Sequence, residues 1–172
     1  MDLLKIIKNR RSIRKFQSKE IPENLIEKLI EALIWAPSAG NLQSRKFYFV
    51  FDLKIKKKLA EAALNQPFIA QVPLVIVGCT DNRISQCYGE RGEKLYSICD
   101  VSVSIQNMML VAYSEGLGSV WIGAFEENRV SEILNLPRNL KPICILPIGY
   151  PAEKPTPSSR LLKQKIIKII KC

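Results

Sequence analysis

The 172-residue sequence contains no histidine. Histidine is the side chain that most often acts as a general base near neutral pH, and it is a common metal ligand. Its absence excludes histidine-based catalytic triads and most zinc sites. We therefore predict no metal-binding residue, and no side chain stands out as a catalytic nucleophile or base.

Signs of disulfides and of membrane insertion are also missing. The five cysteines form no CxxC pair, and an odd number without metal spacing is typical of reduced thiols in the cytosol. No apolar run reaches the roughly 18 to 20 residues that cross a bilayer. At the N-terminus the cations follow a short apolar stretch, which reverses the order found in a signal peptide. We expect a cytoplasmic protein that does not bind a membrane.

Neither common glycine-rich phosphate loop is present, so nucleotide binding by a P-loop or a Rossmann motif is not expected. The net charge of +10 still indicates an anionic partner, which is either a nucleic-acid or membrane surface or a phosphorylated small molecule. The cations fall into three segments, 5–19, 54–58 and 163–171, and the last two lack interleaved aromatic residues. We therefore expect that the anionic partner is not a nucleic acid. The alternative function that we retain is a basic nucleic-acid-binding protein without a cofactor.

The rest of the chain is organised around a long apolar helix, predicted between Asp100 and Glu115, with the Asp100 carboxylate near the positive end of the helix dipole. Apolar residues recur at steps of three and four, which places them on one face of a helix: Ile98, Val101, Ile105, Met108 and Ala112. Val103 and Leu110 lie off this face, so the helix is apolar around most of its circumference. We predict that it is covered on every side.

Helices and strands alternate along the rest of the chain. Strands are predicted at 46–52, in a central position, at 72–79 and at 142–150. Helix 53–64 should expose its lysines, and the polar segment 80–93 should be mobile. Because the crossovers are irregular and prolines lie within strands, we predict an α+β domain with a mixed sheet.

We predict a single domain over residues 1–172. Its tail, 151–172, begins with three prolines and should be extended, and isoleucines and leucines recur among lysines in its second half. An apolar tail that follows an extended linker needs a surface to pack on. The nearest such surface is a second copy of the chain.

Two segments carry side chains that suit an anionic heterocyclic ligand. Segment 10–16 contains four cations and a serine, and arginine pairs with phosphate through two parallel bonds. A basic run is also common on a solvated face. Loop 37–44 carries two amides, which supply the donors and acceptors that a heterocycle with imide edges needs. A plain helix-to-strand connection explains that loop equally well.

Several segments together resemble the flavin-dependent nitroreductase family. RRSIR at 10–14 resembles the phosphate-binding RRSxR of that family, and APSAGNLQ at 36–43 resembles its APSxxNxQ loop. Segment 100–123 is similar to its long helix followed by GLGSxWIG, and 146–155 resembles its closing strand and turn. The resemblance spans nearly the whole chain, in the expected order.

The resemblance implies a nitroreductase-like α+β fold, with a mixed, mainly antiparallel sheet flanked by helices and a long central helix at a dimer interface. It implies a homodimer that holds two FMN molecules at that interface and takes electrons from NAD(P)H. The implied reaction is the transfer of two electrons to a small acceptor, such as a nitroaromatic, a quinone or an enone, by a ping-pong mechanism.

The resemblance also implies which residues bind FMN, and the residue types themselves, with no histidine, indicate no catalytic side chain and no metal ligand. The phosphate would be held by Arg10, Arg11, Ser12 and Arg14, joined by Arg160. The flavin of the other subunit would be reached by Pro37, Ser38, Ala39, Asn41 and Gln43. The pyrimidine edge would meet Asn65, and the ring would lie beside Ile122 and Gly123.

Overall fold

The computed structural model describes residues 2–171, so the last residue of the predicted tail, Cys172, lies outside the described residues, as does Met1. In chain order the elements are α1 Leu3–Asn9, α2 Glu23–Ile34, β1 Arg45–Val50, α3 Leu53–Ala62, α4 Phe68–Gln71, β2 Leu74–Asp81, α5 Ser85–Arg91, α6 Ser97–Ser114, β3 Gly118–Ser119, α7 Glu127–Ile133, β4 Leu140–Gly149 and α8 Lys163–Ile166. A short helical turn at 82–84 connects β2 to α5, and another at 92–96 connects α5 to α6, so residues 82–114 form a nearly continuous helical run.

The four strands form one sheet in the order β1-β2-β4-β3, and each neighbouring pair is antiparallel. This arrangement confirms the predicted α+β class. The predicted central position of the first strand is wrong, because β1 lies at an edge of the sheet. Its residues are apolar on both faces because helices cover both faces: Phe47 and Phe49 pack toward one core and Tyr48 toward the other.

One core lies on each face of the sheet. On one face α2 and α6 pack against side chains such as Ile76, Leu146 and Ile148. On the opposite face α3 and α7 pack against Val75, Val77 and other side chains of alternate register. Every residue of β2 is buried, as expected for a strand with both faces covered.

The central helix begins at Ser97 rather than at Asp100, and it continues the helical run from Asn82. By length and composition alone the run Asn82–Ser114 could cross a membrane. A core helix has the same properties, and α6 packs on α2 and the sheet. The prediction that α6 is covered on every side is wrong within one chain, because Ile98 is 41% exposed and Val103 is 37% exposed.

Segment 80–93 was expected to be polar and mobile; β2 extends to Asp81 and the remainder is helical, and the mobility of the segment stays a prediction. One local prediction is wrong. Lys56 was expected to point outward, but it is 6% exposed and its Nζ donates to the carbonyl oxygens of Val72 at 2.6 Å and Pro73 at 3.2 Å. Those carbonyls lie just before β2, and the buried ammonium satisfies both.

Candidate functional site

The segment that follows α1 is held against the end of the sheet. The Ile13 N–H donates to the Ser119 carbonyl at 3.1 Å, and Ser12 and Ser119 form a parallel bridge. Gly118 allows this approach, because a Cβ at that position would lie 2.7 Å from the Ile13 side chain. Gly118 therefore serves the close packing of two segments of the same chain.

The start of the tail packs along the same segment. The Glu153 carboxylate accepts the Lys15 N–H at 3.0 Å and also the Arg14 N–H. The Ala152 N–H donates to the Lys15 carbonyl at 2.9 Å. The backbone hydrogen bonds from Arg14 and Lys15 hold the pKa of Glu153 below its usual value. The tail thereby returns to the basic segment before it leaves the domain.

These two segments border a cleft of about 590 Å³. The residues that line it are Asn9, Arg10, Arg11, Ile13, Tyr113, Ser114, Gly116, Leu117, Gly118, Ser119, Pro151, Glu153, Lys154, Pro155 and Pro157. The buried atoms Arg10 Nη1 and Arg11 Nε have no hydrogen-bond partner among residues 2–171. Burial lowers the pKa of Arg10, and the charges of Arg11 and Arg160 lower it further.

The cleft therefore presents a concentration of positive charge with unused donors. A buried donor without a partner costs about 1 to 3 kcal/mol, which the oxygens of an anion would recover. Phosphate fits because it carries up to two negative charges and several acceptor oxygens. The residues present therefore fit the phosphate of FMN.

The other two predicted cations differ in position. Arg160 is exposed and donates to the carbonyls of Ser158 at 3.1 Å and Ser159 at 2.9 Å, yet it is close enough for its charge to affect Arg10. Arg14 is exposed and does not line the cleft. The structure thus brings Arg10, Arg11, Ser12 and Arg160 together and leaves Arg14 at the margin.

The loop with the two amides lies elsewhere, between α2 and β1. The Arg45 guanidinium donates to the carbonyls of Ile34 at 3.1 Å, Ala36 at 2.8 Å and Pro37 at 3.0 Å, which closes the end of α2. Burial lowers the pKa of Arg45, and the charge of Asp100 opposes this shift.

Asp100 holds the same loop from the other side. Its carboxylate accepts the Ala39 N–H at 2.9 Å, the Ser44 hydroxyl at 2.7 Å and the Ser44 N–H at 3.3 Å. The side chain comes from the first turn of α6, and the residue is 3% exposed. Asp100 therefore connects both ends of the loop to α6.

Within the loop three consecutive backbone N–H groups are hydrogen-bonded and the amide side chains are exposed. The N–H groups of Asn41, Leu42 and Gln43 donate to the Ser38 carbonyl, the Ala39 carbonyl and Ser38 Oγ. Asn41 and Gln43 have left-handed φ values of 55° and 53°. Both side chains point away from the core and are exposed, so the loop offers them to a ligand.

The last three predicted residues lie near the end of α3. Asn65 is exposed and has a φ of 57°. Ile122 pairs with Ile145 through two hydrogen bonds of 3.0 Å, and Gly123 follows it, exposed. The Glu126 N–H donates to the Ala62 carbonyl at 2.9 Å, so the segment that follows β3 runs beside the end of α3.

The loop and the cleft lie at opposite ends of α6. Asp100 binds the loop near the N-terminal end, whereas Tyr113 and Ser114 line the cleft at the C-terminal end. Ser114 lies fourteen residue steps after Asp100, which corresponds to about 21 Å along a helix axis. The structure therefore does not bring the loop of one chain to the cleft of the same chain.

The thiols offer no activated nucleophile in the core. Burial raises the pKa of both Cys79 and Cys144 to about 12, so both are neutral near pH 7. Within residues 2–171 no group of three or more acidic or cysteine side chains is arranged to hold a metal ion.

Sequence reasoning assigned no site role to Asp100, Arg45 or Glu153. Asp100 has a visible signal, because it interrupts the apolar face of a core helix with a single carboxylate, but we interpreted it as a helix-dipole residue. Arg45 and Glu153 have no such signal, since their partners are backbone groups whose positions depend on the fold.

Comparison with known proteins identifies the family. Residues 7–150 match the sequence profile of the nitroreductase family. A Methanothermobacter thermautotrophicus protein provisionally named NADH dehydrogenase/NAD(P)H nitroreductase is 36% identical over 159 residues, covering 90% of this chain and 80% of that protein. The FMN reductase (NADPH) of Bacillus subtilis is 30% identical over 177 residues, covering 95% of this chain and 71% of that protein.

A solved structure extends the comparison. The NADPH:FMN oxidoreductase of Vibrio harveyi, complexed with NAD+, has a TM-score of 0.90 at 28% identity, covering 99% of this chain and 77% of that chain. These matches confirm the resemblance in the sequence motifs. The chain belongs to the nitroreductase family and is an NAD(P)H-dependent oxidoreductase that uses FMN.

Proposed function

We propose that this chain, as a homodimer, transfers two electrons from NAD(P)H to a small acceptor such as a nitroaromatic, a quinone or an enone. The observation that carries the proposal is the pair of buried guanidinium atoms, Arg10 Nη1 and Arg11 Nε, which have no hydrogen-bond partner in the described part of the chain and lie at a cleft suited to phosphate. The family membership of the chain supports the electron donor and the cofactor.

Four residues of one chain would hold the FMN phosphate. Arg10 and Arg11 line the cleft, Ser12 is bridged to Ser119 beside it, and Arg160 adds a third cation from the tail. We propose a smaller contribution from Arg14, because it lies outside the cleft lining. From the same chain, Ile122 and Gly123 would border the ring, and Asn65 would meet its pyrimidine edge. Ile122 and Gly123 follow β3, Asn65 follows α3, and the segment after β3 runs beside the end of α3.

The second chain would complete the flavin site. Pro37, Ser38, Ala39, Asn41 and Gln43 lie at the far end of α6 from their own cleft. A two-fold axis that crosses the α6 helices would place the loop of one chain beside the cleft of the other. The site would then be incomplete in a monomer.

Exposed apolar side chains support such an assembly. Val103 lies on the outer face of α6, and Leu3, Leu4 and Ile7 are exposed on α1, which contacts α6. The tail carries more, namely Leu161, Leu162, Ile166, Ile167, Ile169 and Ile170. We propose that the tail from 151 onward packs on the partner subunit, because burial of these side chains requires a surface outside this chain.

The protein would contribute position and a dry environment rather than a proton-transfer side chain. When bound, FMN supplies the hydride and electron chemistry. The chain would anchor the phosphate with arginines and orient the ring edge with the amides of Asn41, Gln43 and Asn65. We propose a ping-pong order, in which nicotinamide leaves before the acceptor binds at the same place, and a cytoplasmic location.

A visible absorbance spectrum of the purified protein tests the cofactor and the donor together. We expect flavin absorbance after incubation with FMN and desalting, and anaerobic bleaching by NADH or NADPH. A second portion should regain its colour when a quinone or nitroaromatic is added after the nicotinamide is removed. A protein that stays colourless, or that binds flavin which neither nucleotide bleaches, would contradict the proposal.

Matched variants test the phosphate site. Arg10→Gln removes a cation that lines the cleft, whereas Arg14→Gln removes one from the same segment outside it. A hydrogen bond to a charged group contributes roughly 1.5 to 3 kcal/mol, so Arg10→Gln should raise the FMN dissociation constant by roughly 10- to 150-fold. Riboflavin, which lacks the phosphate, should bind both variants and the parent alike. Equal FMN affinity of Arg10→Gln and the parent would refute this assignment.

A further inference from the structure

Loop 37–43 has an unusual backbone, because left-handed conformations occur there at residues other than glycine. Gly40, Asn41 and Gln43 all have left-handed φ values, and two of the three carry a Cβ. Left-handed conformations are unfavourable for most residues with a side chain, although asparagine adopts them more readily than glutamine. A loop of this kind persists only where its surroundings hold it in place.

Asp100 is the buried group that spans this strained region. It accepts one N–H from Ala39, before the left-handed residues, and two donors from Ser44, after them. The two contacts join positions separated by five residues to a single carboxylate on a rigid helix. No other acidic side chain among the described residues makes a hydrogen bond to this loop.

Arg45 provides the complementary attachment. Its guanidinium binds the three carbonyls at the end of α2, and its charge lies near that of Asp100. The loop is thus fixed at its start by Arg45 and across its strained centre by Asp100. The exposed amides of Asn41 and Gln43 are carried by the backbone that these two side chains hold, and the Gln43 Nε2 also donates to the Asn41 carbonyl at 3.4 Å.

We infer that Asp100 is a positioning residue for the flavin ring: its carboxylate holds loop 37–43 in the strained conformation that presents Asn41 and Gln43. This inference rests on the proposed function, because it takes the loop to border the ring. Asp100 itself makes no contact with the cleft that would hold the phosphate. Its loss should therefore weaken recognition of the ring and leave recognition of the phosphate unchanged.

The test compares three variants of the full chain. Asp100→Asn keeps the size of the side chain and removes its charge and one acceptor. Ser44→Ala removes one of the three donors. Asp81→Asn is the matched control, because Asp81 is also a buried carboxylate that binds backbone and side-chain donors, but its carboxylate does not bind loop 37–43.

The measurements are the dissociation constants of FMN and of riboflavin, together with competition of FMN by inorganic phosphate. Hydrogen bonds to a charged group correspond to about tenfold or more in an equilibrium constant. Asp100→Asn should raise the dissociation constants of FMN and riboflavin by the same factor, about tenfold. The inhibition constant of inorganic phosphate as a competitor of FMN should stay unchanged. Ser44→Ala should raise both about threefold, and Asp81→Asn by less than twofold.

Two further readouts separate positioning from general loosening. The visible circular dichroism of bound flavin should change in Asp100→Asn, because the ring loses its fixed neighbours, and should stay as in the parent in Asp81→Asn. The effects of Asp100→Asn and Ser44→Ala should combine to less than their product, since they act through the same contacts. If Asp100→Asn does not fold, the Ser44→Ala measurements decide.

Parent-like affinities for both flavins in Asp100→Asn, or equal losses in Asp81→Asn, would overturn the inference. So would parent-like affinities in Ser44→Ala where Asp100→Asn fails to fold. A parent protein that binds neither FMN nor riboflavin would instead refute the proposed function, so the two failures are distinguishable.

Discussion

Asp81 shows how one side chain can make the stability of this protein depend on pH. It ends β2 and accepts hydrogen bonds from the Arg83 N–H at 3.1 Å, from Arg83 Nε at 2.9 Å and from Asn139 Nδ2 at 3.1 Å. The hydrogen bond with the Arg83 side chain is the main cause that lowers the pKa of Asp81 to about 2, and burial opposes it. The ionised carboxylate is therefore favoured by folding.

Because the pKa of Asp81 is lower in the folded chain, its contribution to stability is present above about pH 4. That contribution should be lost as the pH falls toward 2. After allowance for solvent screening of the exposed Arg83, we expect about 1 kcal/mol. Urea unfolding of the parent and of Asp81→Asn at pH 6 and pH 3 measures it. The stability difference between the two proteins should shrink by roughly half of this amount at pH 3, because that pH is still above the folded-state pKa, and an unchanged difference would contradict the assignment.

At the scale of elements, α5 packs on the loop that we assign to the flavin ring. The Tyr88 hydroxyl lies against Gly40, so a Cβ at position 40 would overlap it. Tyr88 also forms an edge-to-face pair with Tyr96, with ring centroids 5.3 Å apart. The segment expected to be mobile is therefore packed against loop 37–43.

Gly40→Ala tests this contact, and Gly116→Ala is its matched control. Both glycines have left-handed φ values, 55° and 78°, but nothing lies within 4 Å of a Cβ at Gly116. Gly116→Ala should therefore cost only the backbone strain, about 1 kcal/mol. Gly40→Ala should cost about 1 kcal/mol more, because Tyr88 must move.

Denaturant unfolding measures both values. The excess cost at position 40 should disappear when Gly40→Ala is combined with Tyr88→Ala, since the overlapping hydroxyl is then absent. An excess that persists in the double variant would show that Tyr88 does not restrict this position.

At the scale of the whole molecule, the outer face of α6 is the informative place to test the dimer. Met108 and Met109 are buried in the core of their own chain, so a charge at either position would unfold the monomer. Val103 lies on the same helix but faces outward. A change there leaves the core of one chain intact.

Val103→Arg should disperse the proposed dimer. Burial of an unpaired charge costs several kcal/mol, so the dimer dissociation constant should rise by roughly 100-fold or more. Leu53→Arg, at an exposed apolar position on α3, is the control and should leave the dimer unchanged. Light scattering over a dilution series measures both.

Val103→Arg should also lose flavin as its dimer dissociates. The loop and the cleft of one chain lie at opposite ends of α6, so a monomer would not hold a complete site. A variant that is monomeric yet retains FMN as tightly as the parent would contradict the shared site. A dimeric variant would contradict the placement of the interface.

Local patterns sufficed for most of the elements and for the family. Asp2 precedes α1 and caps it, because Asp2 Oδ1 accepts the Leu4 N–H at 3.2 Å. The apolar stripe of α6 was predicted for Val101, Ile105 and Met108, which are buried. These features depend on residues within one or two helical turns, so periodicity and motif order determine them.

The sequence by itself therefore determined the α+β class, the apolar central helix and the motifs of the nitroreductase family. Only the tertiary structure decided that β1 is an edge strand, that Lys56 is buried and that Asp100 binds a loop 61 positions away at Ala39. It also decided that the arginine cleft and the amide loop lie at opposite ends of α6. The physical reason is that a local pattern records which side of an element is apolar, whereas the partner of a buried charge depends on the path of the whole chain.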